Sequence, residues 1–152
     1  VGYTHYWNWD PATPWNEARQ AGVERALMDM IKIVRHGTKA GLLCGPMGDG
    51  KPALDHDARA PRAIGFNGCG DDAHETFSFP TGWSGGLGSF TKTARKPYDA
   101  YVVACLLAAR AHIPLRILSI GSDGDAADWE AGAKLYRTVL KKQPPSLAFL
   151  DR

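Results

Sequence analysis

The sequence predicts an α+β domain in which three helices pack with a small mixed, largely antiparallel sheet. Three observations predict it. Aromatic residues alternate through the opening stretch, two strand-like runs flank a Gly/Asp turn near the middle, and three apolar stripes of helical period lie between proline and glycine breaks. A length of 152 residues suits a single globular domain over 1–152, and 44% hydrophobic with 22% charged residues is enough to bury a core.

Tyr3, His5, Trp7 and Trp9 point one way and Thr4, Tyr6 and Asn8 the other, which is the period of a strand ended by Asp10-Pro11. Thr13 as N-cap and Pro14 at the first helical position predict a helix whose buried stripe is Val23, Ala26, Leu27, Met30, Ile31 and Val34, with Gly37 closing it. Residues Gly41 to Arg62 read as a short strand at Leu42-Leu43-Cys44 followed by a long surface loop. Strands over Ala63–Asn67 and Glu75–Pro80, joined by Gly68-Cys69-Gly70-Asp71-Asp72, predict an antiparallel hairpin with Glu75, Phe77 and Phe79 on one face. A glycine-rich tip over Gly82–Gly88 precedes a strand near Ser89–Lys92.

Pro97 opens a second helix with Asp99 in its first turn and Tyr98, Val102, Cys105, Leu106 and Ala109 as its buried stripe, broken by Pro114. Leu115–Ile120 has the apolar density of a buried central strand. Asp125 caps the third helix with Asp128 as its capping-box partner, Trp129, Ala133, Tyr136, Val139 and Leu140 form the stripe, and Gln143-Pro144-Pro145 ends it.

The formal charge of +2 gives no general call for nucleic acid, although it leaves room for a local basic patch. Cys44, Cys69 and Cys105 are odd in number, far apart and outside any C-x-x-C pair, so they predict free thiols in a reducing cytoplasm. No apolar run approaches the ~20 residues that span a bilayer, which predicts no membrane partner. The N-terminus has neither the charged start nor the apolar core of a signal peptide.

Gly45 to Lys51 satisfies G-x-x-x-x-G-K, but Pro52 stands where a phosphate-binding loop needs a hydroxyl for magnesium, so the segment reads as a plain loop. Asp71, Asp72, His74 and Glu75 form the densest group of metal-ligand residue types, with Asp123 and Asp125 as a second group. Asp71 and Asp72 also suit an ordinary turn, so no metal and no cofactor is assigned. Lys92-Thr93-Ala94-Arg95-Lys96 sets three cations and a hydroxyl ahead of a helix N-terminus, where Arg95 can grip a phosphate or carboxylate bidentately. The opening aromatics can stack a planar base or sugar. No G-x-S-x-G elbow is present, and no cysteine has a catalytic setting.

Gly2-Tyr3-Thr4-His5-Tyr6-Trp7, Phe66-Asn67-Gly68 with His74-Glu75-Thr76-Phe77, Lys92 to Asp99 and Ser122-Asp123-Gly124-Asp125 together resemble a group of small uncharacterised proteins of bacteriophages and prophages. The blocks keep the same order across nearly the whole chain. The resemblance implies an accessory protein of the infected cell's cytoplasm, and implies that Val1 stands for a GTG start codon.

These blocks fall at strand ends and helix starts, where α/β folds place ligands. The expectation is a pocket for a small anionic, nucleotide-derived ligand, lined by Tyr3, His5, Trp7, Asn67, His74, Glu75, Lys92, Thr93, Arg95, Lys96 and Asp123. One alternative is a metal-dependent phosphodiesterase or nuclease, with Asp71, His74, Glu75 and Asp123 holding the ion and Lys92 or Arg95 stabilising charge. Another is a module that inhibits a host enzyme through the basic turn.

Overall fold

The computed structural model describes residues 2–56, 61–82 and 88–151. These form three helices and two three-stranded sheets, so the α+β class is the one the sequence predicts. All strand pairs are antiparallel, and the strands divide between two sheets rather than sharing one. In chain order the elements are β1 (Thr4–Trp9), α1 (Glu17–Lys39), β2 (Ala53–His56), β3 (Pro61–Phe66), β4 (Phe77–Phe79), β5 (Gly88–Lys92), α2 (Asp99–His112), β6 (Leu118–Ser122) and α3 (Ala126–Leu140). The first sheet has the order β5-β1-β6 and the second β2-β3-β4.

From His5 onward β1 behaves as its alternation predicts, with His5, Trp7 and Trp9 buried and Tyr6 and Asn8 facing out; Thr4, expected on the outer face, is buried as well. Its tryptophans join the two sheets, Trp7 packing on Phe77 with ring centroids 5.1 Å apart and Trp9 on Phe79 at 6.0 Å. α2 is apolar all round, and Tyr101 to Ala109 are buried without a break. Such a helix needs cover on every side, and α1 and α3 flank it while α1 also packs on β3.

Several boundaries depart from the sequence reading for local reasons. Thr13 does not cap α1, because Asp10 takes its hydroxyl (2.6 Å) together with the Ala12 N–H (3.0 Å). Asn16 caps instead, accepting from Arg19 N at 2.9 Å. Gly37 does not close the helix either; it lies inside it, where an ideal Cβ would come within 2.5 Å of Leu43. The chain turns at Gly41, with φ +76°. The short strand expected at Leu42–Cys44 is reduced to an isolated bridge from Cys44 to Asn67, while within the stretch read as loop Ala53–His56 form β2 and pair with β3. The second hairpin strand is confined to Phe77–Phe79, which leaves Glu75 outside it. α2 starts two residues after Pro97. Leu115–Ile117 turn on Pro114, whose carbonyl accepts from Ile117 and Leu118, and β6 is an edge strand beside a central β1. The capping box of α3 is present as read: Asp125 accepts from Asp128 N and Asp128 from Asp125 N.

The cysteine expectation is overturned. Cys44 and Cys69 form a disulfide that ties the Gly45–Gly50 loop to the turn after β3, and Cys105 alone is free and buried. Burial pushes the Cys105 thiol up, away from the reactive thiolate. Residues 57–60 and 83–87 lie outside the described residues, so most of the glycine-rich tip does too. Among the described residues no helix is long and apolar enough to cross a membrane.

Candidate ligand site

The basic segment after β5 is an elbow. Thr93 N donates to Tyr3 O (3.0 Å), continuing the β1–β5 ladder by one residue, and Lys96 N then donates back to Thr93 O (3.0 Å). Between them Ala94 and Arg95 both have positive φ, +52° and +57°. Two left-handed residues in succession make the tight turn normally given to Asn-Gly, and each non-glycine residue there is disfavoured by roughly 1–2 kcal/mol. The turn aims Arg95 outward with its guanidinium 3.9 Å above the Tyr3 ring and Nη1 donating to Asp128 Oδ1 at 3.0 Å. The Arg95 side chain remains 60% exposed. The Asp128 bond holds the guanidinium above its usual range, while the Asp125 N–H and then Arg95 hold the Asp128 carboxyl below its own.

Behind the elbow runs a buried polar chain. His5, with no exposed surface, places Nδ1 2.8 Å from Ser122 Oγ and Nε2 2.7 Å from Asp99 Oδ1, which also accepts from Thr93 Oγ1. Ser122 Oγ accepts from Gly124 N (2.9 Å) and Trp129 Nε1 (3.1 Å) as well as facing His5 Nδ1. The residue types and their contacts are those of a nucleophilic triad, but the surroundings are wrong for one. Both lone pairs of the serine are engaged, and the histidine cannot reach a leaving group from the core. The chain is structural. Burial, and then the Asp99 carboxylate, push the Tyr3 phenol beside it up to about 12. An ideal Cβ at Gly124 would lie 2.1 Å from the Tyr3 hydroxyl, so the β6–α3 turn needs glycine there.

The expected site residues are brought near one another but divide between two concavities. Tyr3, Arg95 and Asp123, with Gly2 and Ala94, line a hollow of about 430 Å³. Asp123 is fixed in its wall by the Thr4 N–H (3.1 Å) and the Tyr6 hydroxyl (3.2 Å). His5 and Thr93 lie behind this wall and are fully buried, so they shape it rather than touch a ligand. Asn67, His74 and Glu75 belong to a separate cleft of about 460 Å³ with Met47 and Phe90. Lys92 stitches the two regions through its backbone, donating to Glu75 Oε2 (2.7 Å) and accepting from Glu75 N (3.1 Å), and Lys96 Nζ reaches the Asp71 carbonyl at 3.1 Å.

Two more expected ligand residues, besides His5 and Thr93, are taken up by the fold. Trp7 is wholly in the core against Phe77, because the heavier face of β1 is the one the fold buries. Asn67 has its amide saturated, with Oδ1 accepting from Gly68 N and His74 N while Nδ2 donates to Pro46 O and His74 O. Among the described residues no three His, Cys, Asp or Glu gather as metal ligands, so Asp71, His74, Glu75 and Asp123 make no common site. Sequence reasoning passed over Asp128, Ser122 and the partnering of Asp99, which only the tertiary fold reveals. Tyr6 entered there only as one of the opening aromatics, and the structure leaves it exposed on the face to which the alternation turned it. Comparison with protein-family models, curated proteins and solved structures gives no match.

Proposed function

We propose that the protein binds a small anionic, nucleotide-derived ligand in the hollow between Arg95 and Asp123. The observation that carries this reading is the elbow itself. Two adjacent non-glycine residues are held left-handed, and the side chain they present is an exposed arginine over a 430 Å³ hollow. Backbone strain of this kind persists where the surroundings over-determine it, and it gathers at ligand clamps. Asp128 engages one guanidinium nitrogen, which leaves a planar fork for a phosphate. Asp123 across the hollow is acceptor-only when ionised and suits the hydroxyl or amino groups of a ribose or base. In the phage setting that the sequence blocks imply, such a protein withdraws a host signalling nucleotide by sequestration.

Calorimetry against nucleoside mono- and diphosphates and cyclic dinucleotides tests the reading. Heat is expected with at least one ligand class, and Arg95→Ala is expected to weaken that binding more than about tenfold, as for loss of a charge-assisted hydrogen bond. A panel without heat, or binding that Arg95→Ala leaves unchanged, overturns it.

A further inference from the structure

The outer face of the first sheet leaves Tyr6, Asn8 and Phe90 exposed, with the short turn Leu147–Leu150 packed at its β6 edge, and its side chains form an ordered array. Residues opposite one another on antiparallel strands share a face. The register therefore sets Phe90, Tyr6 and Gly121 in one row across β5, β1 and β6. Lys92 is in the row above, opposite Thr4, and Asn8 in the row below, beside Ser119. Tyr6 is 39% and Phe90 54% exposed, a high share for two neighbouring aromatics on the surface. The floor beside them is low, since an ideal Cβ at Gly121 would meet nothing within 4 Å, and a groove of about 370 Å³ runs past Tyr6, Asn8 and Ser119.

From this array we infer that the sheet face is a stacking platform for single-stranded nucleic acid, with Tyr6 and Phe90 each taking the face of a base. Side-by-side aromatics on an open antiparallel sheet, next to small residues that let a ring approach, match the way single strands are held independently of sequence. The backbone of the strand has cations waiting at one edge. Lys92 Nζ lies 5.9 Å from the Phe90 ring centre, and the Tyr6 hydroxyl bonds Asp123, which shares its hollow with Arg95. A protein partner fits less well, because the rows around the two rings are glycine, serine and asparagine, and the apolar Phe149 and Leu150 line the groove only at the β6 edge, across the sheet from Phe90. The net charge of +2 does not ask for a nucleic acid; the two exposed rings in one row, with Lys92 beside Phe90, do.

The test is fluorescence anisotropy with labelled single-stranded DNA and RNA of about eight nucleotides and with the matching duplexes, at about 50 mM and 200 mM salt. Single strands are expected to bind more tightly than duplexes. Phe90→Ala is expected to weaken them by about 5-fold to 150-fold, while Tyr6→Phe, which keeps the ring, stays close to the parent and Tyr6→Leu does not. Lys92→Ala should reduce the slope of log affinity against log salt by about 0.7. Near-UV circular dichroism checks that each variant keeps the parent fold. Absence of single-strand binding, equal binding of duplex, or Phe90→Ala within twofold of the parent overturns the inference. The outcome separates from that of the ligand hollow. Nucleotides bound through Arg95 without strand binding leave the hollow standing and remove the platform, and strand binding lost with the two rings but without any mononucleotide heat does the reverse.

Discussion

Replacing Ser122 with alanine distinguishes a structural polar chain from a catalytic one. The hydroxyl oxygen serves three partners: Gly124 N at 2.9 Å, Trp129 Nε1 at 3.1 Å and His5 Nδ1 at 2.8 Å. Trp129 and His5 have no exposed surface and Gly124 is buried, so solvent cannot take over freely once the oxygen is gone. Each buried polar group left without a partner costs about 1–3 kcal/mol. The three share one site and a water can enter part of it, so the sum falls short of additive, at about 2–4 kcal/mol. With a urea slope of about 2 kcal/mol/M the unfolding midpoint should drop by about 1–2 M at unchanged slope. A serine held ready for attack, with free lone pairs, behaves differently. Its loss moves stability by less than about 0.5 kcal/mol, and the parent reacts with a fluorophosphonate. An unmoved midpoint together with covalent labelling at Ser122 refutes the structural assignment and restores a hydrolase.

Two further outcomes follow from the rest of the fold. The disulfide closes a separation of 25 residues, for which the chain-entropy model gives about 3.5 kcal/mol, so Cys44→Ser/Cys69→Ser should lower stability by roughly that amount; intact-mass measurement of the native chain before and after alkylation shows whether the thiols are paired, and two alkylated cysteines beside Cys105 would contradict the bond. Burial alone would raise the Asp29 carboxyl, yet its bonds from His112 (2.8 Å) and Lys142 (2.9 Å) hold it below its ordinary value of about 3.9. A folded value below the unfolded one means that the stabilisation is complete above the unfolded value and lost as pH falls through the folded one. Urea midpoints should therefore decline on the acid side, and Asp29→Asn should flatten that limb; a variant with the parent's acid slope rejects the assignment.

What the sequence discloses, and what it withholds, follows the range of each interaction. The faces of β1 and the capping box of α3 rest on residues within a few positions of one another, so period and cap chemistry suffice to read them. Gly37 has the position of a helix terminator in sequence, but its role depends on Leu43 and Tyr101 arriving against it from elsewhere. β2 has no clean alternation and is a strand because β3 pairs with it. The Cys44–Cys69 bond likewise needs the bridge between Cys44 and Asn67, which sets the two segments side by side. At the candidate site the elbow is legible as a cluster of cations. Its left-handed backbone is not, since alanine and arginine give no hint of positive φ.

Asp99 shows why the buried chain and the exposed arginine belong to one arrangement. A carboxylate in the first turn of α2 complements the helix dipole, and by sequence alone it competes with any anion arriving there. It is also the nearest acid along the chain to Arg95, and an unengaged Asp99 would draw that guanidinium inward. Instead its Oδ1 is occupied by His5 Nε2 and Thr93 Oγ1, and His5 is held from its other side by Ser122. Arg95 is left to stack on Tyr3 and pair with Asp128 at the rim, with its fork toward the hollow. If the hollow takes the proposed anion, His5 acts on it only by keeping Asp99 engaged. Substituting it should loosen the elbow and weaken anion binding in proportion, without abolishing any chemical step.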